Sequence, residues 1–238
     1  MNQWLVVALL TLMAGAAMPV GALIARIEHF QSRWLELEFR HTVMAFGGGA
    51  LLSAVALVLV PDGTKVLALP WSALCFAAGG VAFMALDMWL ARSQRPASQL
   101  AAMLADFVPE SMAMGAAFAH GESSGLLLAL LMALQNLPEG FNAYREITRS
   151  TSIRSGRTIA VFAGAALLGP AAGLAGYAWL ADVPHVVGGV MLFAAGGILY
   201  AVMQDVAPQA RLTQRWSPPL GAVAGFLLGM VGDALVGG

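Results

Sequence analysis

Long apolar runs recur along the whole chain, and they constrain its fold more than any other feature. Each is long enough to cross about 30 Å of hydrocarbon as a helix, which takes roughly 20 residues. Only helices and closed barrels satisfy their backbone polar groups inside a bilayer, so the runs indicate an all-α integral membrane protein. We predict eight transmembrane helices in a single polytopic domain over residues 1–238, with spans 3–25, 41–60, 68–91, 99–118, 124–146, 157–181, 186–207 and 217–237.

The composition supports this class and excludes others. Hydrophobic residues make up 59% of the chain and charged residues only 11%, whereas soluble domains carry roughly 25% charged residues. The net charge of −1 provides no basic footprint for nucleic acid. The single cysteine, Cys75, excludes an internal disulfide and a multi-cysteine metal site. The lipid bilayer is therefore the expected surroundings of the chain.

The positive charges predict how the chain is oriented in the membrane. Eleven of the 12 Lys and Arg residues follow odd-numbered helices, and only Lys65 follows an even-numbered one. Cytoplasmic loops carry an excess of Lys and Arg, so the odd-numbered loops are expected in the cytoplasm. Both termini would then lie outside the cytoplasm, in a protein of the plasma membrane, which in bacteria is the inner membrane.

Two segments of the chain repeat with the opposite direction. "FGGGALLSAVALVLVP" (46–61) and "FAAGGILYAVMQDVAP" (193–208) align without a gap, and "ADFVPESM" (105–112) has the layout of "LQNLPEGF" (134–141). Under the predicted topology, helix 2 runs opposite to helix 7 and helix 4 opposite to helix 5. Inverted-topology repeats with proline-interrupted helices predict a secondary transporter with its site near the bilayer midplane.

Four polar side chains are expected at that midplane, Asp106 and Glu110 on helix 4 and Gln135 and Glu139 on helix 5. The i, i+4 spacing places each pair on one helix face. Counted from the 119–123 connection, they lie about 10 to 15 positions deep, or roughly 15–22 Å at 1.5 Å per residue. A single Asp at that depth costs about 2.5–3.5 kcal/mol on insertion scales. A divalent cation bound between the two helices would neutralise two of the three carboxylates.

Two prolines strengthen this interpretation. Pro109 and Pro138 each remove a backbone N–H and disturb the bond to the carbonyl four residues earlier. Freed carbonyls at membrane depth must be satisfied by protein, water or an ion. A proton relay or a structural polar cluster is the alternative interpretation. An intramembrane hydrolase with an acid–base carboxylate pair is a rival from another class. The sequence has no nucleophile constellation of Ser, Cys or His there, so we expect neither an enzyme nor an organic cofactor.

These motifs resemble the ZIP (Zrt-, Irt-like protein) family of divalent-metal transporters. "QNLPEGF" on helix 5 is close to the family's metal motif, which is of the type His-Asn-x-Pro-Glu-Gly, and "DFVPESM" on helix 4 is a looser match. The repeated segments of helices 2 and 7 also look like ZIP segments, so the likeness covers essentially the whole chain. It implies a divergent prokaryotic-type member with a ZIP-like bundle of eight helices. It further implies a homodimer that takes up Zn, Mn or Fe by alternating access.

Carried over residue by residue, the resemblance implies the ligands and also shows departures from the family pattern. The usual histidine of helix 4 is Asp106 here, its asparagine neighbour is Phe107, and the helix 6 glutamate of many members is Gly169. A histidine common near the end of helix 2 is Val58. We therefore expect one bound ion rather than two. The implied ligands are Asp106, Glu110, Gln135 and Glu139, with Asn136 at a position that contributes to a second metal in many members.

The ligand atoms predict the kind of ion. No histidine or cysteine falls at the site, and an all-oxygen site moves the preference from zinc toward Mn²⁺, Fe²⁺ or even Mg²⁺. We expect Asp205, Asn142 and Met114 to be candidates for the pathway on either side of the site. Two further hypotheses stay open from the sequence: a carrier of a cation that is not a transition metal, and a non-transporting family member that acts as a sensor.

Overall fold

The computed structural model describes residues 2–27, 38–93, 98–119, 124–180, 182–209 and 216–237. These residues form eight helical stretches and contain no strand. Their positions agree with the predicted spans to within a few residues at most ends. The stretches are α1 (Gln3–Ile27), α2 (Arg40–Val66), α3 (Leu69–Ser93), α4 (Ser98–Ala119), α5 (Ser124–Ser150), α6 (Ser155–Leu180), α7 (Pro184–Val206) and α8 (Ser217–Gly237).

Six of these stretches, α1, α2, α3, α6, α7 and α8, are long and apolar enough to cross a membrane. The prediction of an all-α membrane protein is confirmed at this level. The other two, α4 and α5, are 22 and 27 residues long. Their middle turns hold the acidic and amide side chains singled out above, which lowers the hydropathy of both helices.

Three helices contain a local change of winding. In α2, residues Ala54–Leu59 form a π-helical segment, and in α7 residues Val202–Val206 do the same. The two segments fall at matching positions of the 46–61 and 193–208 repeat. The third helix, α6, breaks at Leu167 and ends in a π-helical segment, Gly176–Leu180. π-Helical segments inside α-helices occur frequently at functional sites.

The closest helix contacts divide the helices into two groups. Six pairs make these contacts: α1 with α5, α4 with α6, α2 with α8, α3 with α7, α1 with α6, and α2 with α7. Helices α1, α4, α5 and α6 pack mainly on one another, and so do α2, α3, α7 and α8. Exchanging α1 with α6, α2 with α7, α3 with α8 and α4 with α5 turns each of the first four pairs into another of the four, and it keeps the last two as pairs. The packing therefore has the same two-fold pattern as the sequence repeat.

Glycines let the backbones of a pair come together, as the α2–α8 contact shows. A Cβ added to Gly49 would collide with the carbonyl oxygen of Ala222, and one added to Gly225 would collide with that of Phe46. Both glycines therefore lie directly against the main chain of the partner helix. Small residues at helix interfaces serve this purpose in lipid, where apolar burial alone does not drive helices together.

The α3–α7 pair repeats these contacts residue for residue. A Cβ on Gly196 would collide with the carbonyl oxygen of Phe76, and one on Gly79 would collide with that of Phe193. Gly196 and Phe193 follow their α2 counterparts by 147 positions, and the α8 residues follow Gly79 and Phe76 by 146. The repeat found in the sequence of α2 and α7 thus extends to α3 and α8.

The same kind of approach holds the other group together. Gly21 of α1 and Gly140 of α5 face carbonyl oxygens of each other's helix, as do Gly115 of α4 and Gly176 of α6. Among the glycines of the described ranges, none approaches a backbone oxygen of the opposite group. Contacts between the groups use side chains instead, such as the ring of Pro138 against Gly47.

Candidate cation site

A cavity of about 60 Å³ lies between the two helix groups. Its wall combines α4 and α5 of one group with α2 and α7 of the other. Apolar residues form most of the wall, but five side chains bring oxygen atoms to it. We call it the polar cavity, and those five side chains are Asp106, Gln135, Glu139, Asn142 and Asp205.

Three of these side chains present buried oxygen atoms with no hydrogen-bond donor among the described residues. The atoms are Oδ1 of Asp106, Oε1 of Gln135 and Oε2 of Glu139. Asp106 is 6% exposed and Gln135 only 1%. A buried polar atom without a partner costs about 1–3 kcal/mol. Three such acceptors around one cavity form a site that a cation would stabilise.

Glu110 lies next to this cavity without lining it. Its carboxylate Oε2 accepts a hydrogen bond from Nε2 of Gln135 at 2.9 Å, and the side chain is fully buried. The bond turns the amide nitrogen of Gln135 away, so that Oε1 is the atom left without a partner. Glu139, Glu110 and Asp205 all act electrostatically on Asp106. Four carboxylates therefore share one small region of the bundle.

Asn136 lies on a different side of α5 from Gln135. Its Nδ2 donates to the carbonyl oxygen of Ala14 on α1 at 3.0 Å, and the side chain is buried. It does not line the polar cavity. Adjacent residues of a helix point about 100° apart, which explains why only one of these two amides faces the carboxylates.

Phe107 follows Asp106 on α4. Its ring is fully buried and packs between Gly15 of α1 and Gly169 of α6. A Cβ added to Gly169 would lie 2.6 Å from Cζ of the ring, so the missing side chain at this position makes room for Phe107. Two positions that depart from the family's ligand pattern, Phe107 and Gly169, are thus joined by apolar packing.

The remaining predicted pathway residues divide between the cavity and the core. Asp205 is exposed at the π-helical end of α7, where the cavity reaches the surface, and Asn142 lines the wall on α5. Met114 is fully buried and does not line the cavity. Two methionines that the sequence did not single out, Met44 and Met103, do line it. The sequence feature that could have identified them is their spacing, since each lies about one helical turn before a cavity residue of the same helix.

A second, smaller cavity of about 40 Å³ lies toward the other end of α2, α4 and α7. Asp62, Ala117 and Met191 are among the residues that line it. Asp62 also forms an ion pair with Lys65, with Oδ1 and Nζ 2.7 Å apart. The residues of α2, α4 and α7 that lie between the two cavities are largely buried and apolar, and they include Val58, Leu59, Met114, Ala195 and Ile198. A packed layer therefore separates the two cavities.

The carboxylates around the polar cavity are not gathered into a finished coordination sphere. Within the described ranges, no three His, Cys, Asp or Glu side chains stand close enough to hold a metal ion together. Carboxylates without a counter-ion repel one another, so they separate unless a cation draws them together. No protein-family model matches the chain, and no curated protein is significantly similar to it.

Proposed function

We propose that this protein carries one divalent metal cation across a membrane by alternating access. The observation that carries the proposal is the polar cavity, in which unpartnered oxygen atoms of Asp106, Gln135 and Glu139 meet at the junction of two helix groups. A structural polar cluster would satisfy such atoms by mutual hydrogen bonds. A cargo site must instead leave them available for an ion that enters and leaves.

All eight helical stretches cross the membrane in this proposal, including the less apolar α4 and α5. The close helix pairs are preserved under one two-fold operation, and the glycine contacts of α2–α8 recur in α3–α7. Helices related by the operation have opposite direction if successive helices alternate across the bilayer. Both observations support inverted-topology repeats, which are typical of secondary transporters. Together with the motifs on α4 and α5, they support a divergent, ZIP-like protein.

The cation would be held by Asp106 and Glu139 from opposing helices, with Oε1 of Gln135 as a neutral ligand. Glu110 would add a further negative charge near the ion, and it orients Gln135 through the 2.9 Å hydrogen bond. Oxygen ligands suit Mn²⁺ and Fe²⁺ as well as Zn²⁺. The buried ring of Phe107 between Gly15 and Gly169 supports a single ion.

Movement of one helix group against the other would expose the site to either side. The polar cavity opens near the start of α2 and the end of α7, and the second cavity lies near the opposite ends of these helices. Arg40 and Arg145 mark the end where the polar cavity opens, which the positive-inside rule places in the cytoplasm. In this proposal the arrangement is that of an inward-open state, with Asp205 on the exit path and a packed apolar layer on the outer side.

Uptake into liposomes tests the proposal. Purified protein would be reconstituted and supplied with Zn²⁺, Mn²⁺, Fe²⁺, Co²⁺, Cd²⁺ and Mg²⁺ in turn, with and without a pH gradient. We expect saturable uptake of at least one transition-metal ion and its loss in Glu139→Ala. Asp182→Ala, at an exposed position outside both cavities, is the matched control. No uptake of any ion by folded wild-type protein would overturn the proposal.

Two outcomes would assign a different role. Uptake of Mg²⁺ alone would indicate a carrier of a cation that is not a transition metal. Binding without flux would indicate a sensor. The separation of the carboxylates among the described residues is compatible with that role. Equilibrium binding of each ion to the detergent-solubilised protein distinguishes this second outcome from a failure to bind.

A further inference from the structure

Two thioether side chains lie in the wall of the polar cavity beside its carboxylates. Met44 comes from α2 and Met103 from α4, so each helix group contributes one of them. Both are buried, with 8% and 3% of their surface exposed. Met103 precedes Asp106 by one helical turn, which places the two side chains on the same face of α4.

A third methionine occupies the equivalent place in the second cavity. Met191 lines that cavity on α7 and is 3% exposed. It follows Met44 by 147 positions, the spacing that also relates the glycines of α2 and α7. A thioether therefore stands at the same repeat position in the wall of each cavity, one on either side of the packed apolar layer.

Methionine is a common gap-filler in protein cores, so packing is the ordinary explanation for one such residue. Met114 fits that explanation, because it is fully buried and lines neither of the two cavities. Each of the other three methionines lines the wall of one of the two cavities. Two of them, Met44 and Met191, are also related by the repeat. A thioether sulfur is a soft ligand, and it favours softer cations over hard ones such as Mn²⁺ and Mg²⁺.

We infer that Met44, Met103 and Met191 are selectivity residues of the permeation path, which favour soft divalent cations such as Cd²⁺ over hard ones such as Mn²⁺. This inference rests on the proposed transport function. The oxygen ligands of the central site bind both kinds of ion. The thioethers then lower the free energy of a soft ion as it approaches and leaves that site.

The test is a competition measurement in liposomes, with Cd²⁺ and Mn²⁺ uptake recorded for the same protein preparations. The variants are Met44→Leu, Met103→Leu and Met191→Leu, with Met114→Leu as the matched control. Leucine and methionine differ little in volume, so each variant is expected to fold with a loss of less than about 1.5 kcal/mol. Thermal unfolding in detergent verifies that all four variants are equally folded.

We expect the ratio of Cd²⁺ to Mn²⁺ uptake to fall in Met44→Leu and Met103→Leu by about tenfold, the lower end of what supporting groups contribute at metal sites. Met191→Leu should lower the same ratio when uptake is measured from the side of the second cavity. Met114→Leu should leave it unchanged. An unchanged ratio in the three cavity variants, with both ions still transported, would refute the inference alone. Failure of the wild-type protein to transport either ion would instead refute the proposed function.

Discussion

Replacing Gly49 or Gly196 with alanine tests the two-fold packing pattern directly. The added Cβ at Gly49 meets the carbonyl oxygen of Ala222, and the added Cβ at Gly196 meets that of Phe76. In both cases the obstacle is backbone rather than a side-chain end that could rotate away. The paired helices must therefore move apart along their whole contact to accommodate a single methyl group.

The expected magnitude follows from two opposing effects. Overpacking a well-packed interior costs about 1–3 kcal/mol, and a backbone obstacle places these sites at the upper end. Alanine recovers roughly 0.5–1 kcal/mol relative to glycine inside a helix. The net loss is about 2–2.5 kcal/mol for each variant. For a chain of this size, 1 kcal/mol shifts the melting temperature by about 2–4 °C, so each variant should melt about 4–10 °C lower.

Thermal unfolding of the detergent-solubilised protein, followed by the fluorescence of its six tryptophans, measures this loss. Gly164→Ala is the matched control, because no atom lies within 4 Å of a Cβ placed there and the residue is also inside a helix. We expect the control to melt at or slightly above the wild-type temperature. The two test variants should agree with each other and add in the double variant, since they lie in separate helix pairs. A test variant as stable as the control would refute the close approach, and a large difference between the two variants would refute their equivalence.

Three further predictions follow from the site and its surroundings. Under the proposed function, Glu139→Gln should lower uptake by more than about tenfold because it removes one of the charges that would hold the ion, with Asp182→Asn unchanged in the same liposome assay. Asn136→Leu should lose about 1–3 kcal/mol of stability, because a buried carbonyl of α1 loses its donor, while equilibrium ion binding stays near the wild-type value; a large loss of binding would show that Asn136 is a ligand. Phe107→Ala should cost about 3–5 kcal/mol, because the neighbouring Gly169 has no side chain to fill the space, and a melting temperature equal to wild type would refute that packing.

The helices could be predicted from the sequence because a bilayer leaves the backbone few choices. Each apolar run must satisfy its own hydrogen bonds, so its length nearly fixes the helix. The prediction 68–91, for example, became Leu69–Ser93. Asp106, Gln135 and Glu139 line one cavity, whereas Glu110, the i+4 partner of Asp106, lies beside it.

The side of the helix on which a residue lies was harder to predict. Asn136 and Gln135 are neighbours in an equally polar motif, but their directions differ by about 100°, and only the packing of α1 against α5 decides which amide reaches the carboxylates. Met114 shares a face with Glu110 by spacing, yet it is Met103, two turns before Glu110 and one before Asp106, that lines the cavity. The α3–α8 half of the repeat could not be predicted from the sequence, because its signal there is mainly a shared glycine spacing.

The placement of the glycines determines where this bundle can yield. Inside each helix group, main chains touch through glycine and carbonyl oxygen, and such junctions offer no rotatable atoms to adjust. Between the groups, the described contacts rely on side chains, which can change rotamer as the surfaces shift. The packing can therefore adjust most easily at the boundary between the two helix groups, which contains the acidic side chains. A motion along it would change the surroundings of the polar cavity while both four-helix bodies keep their shape.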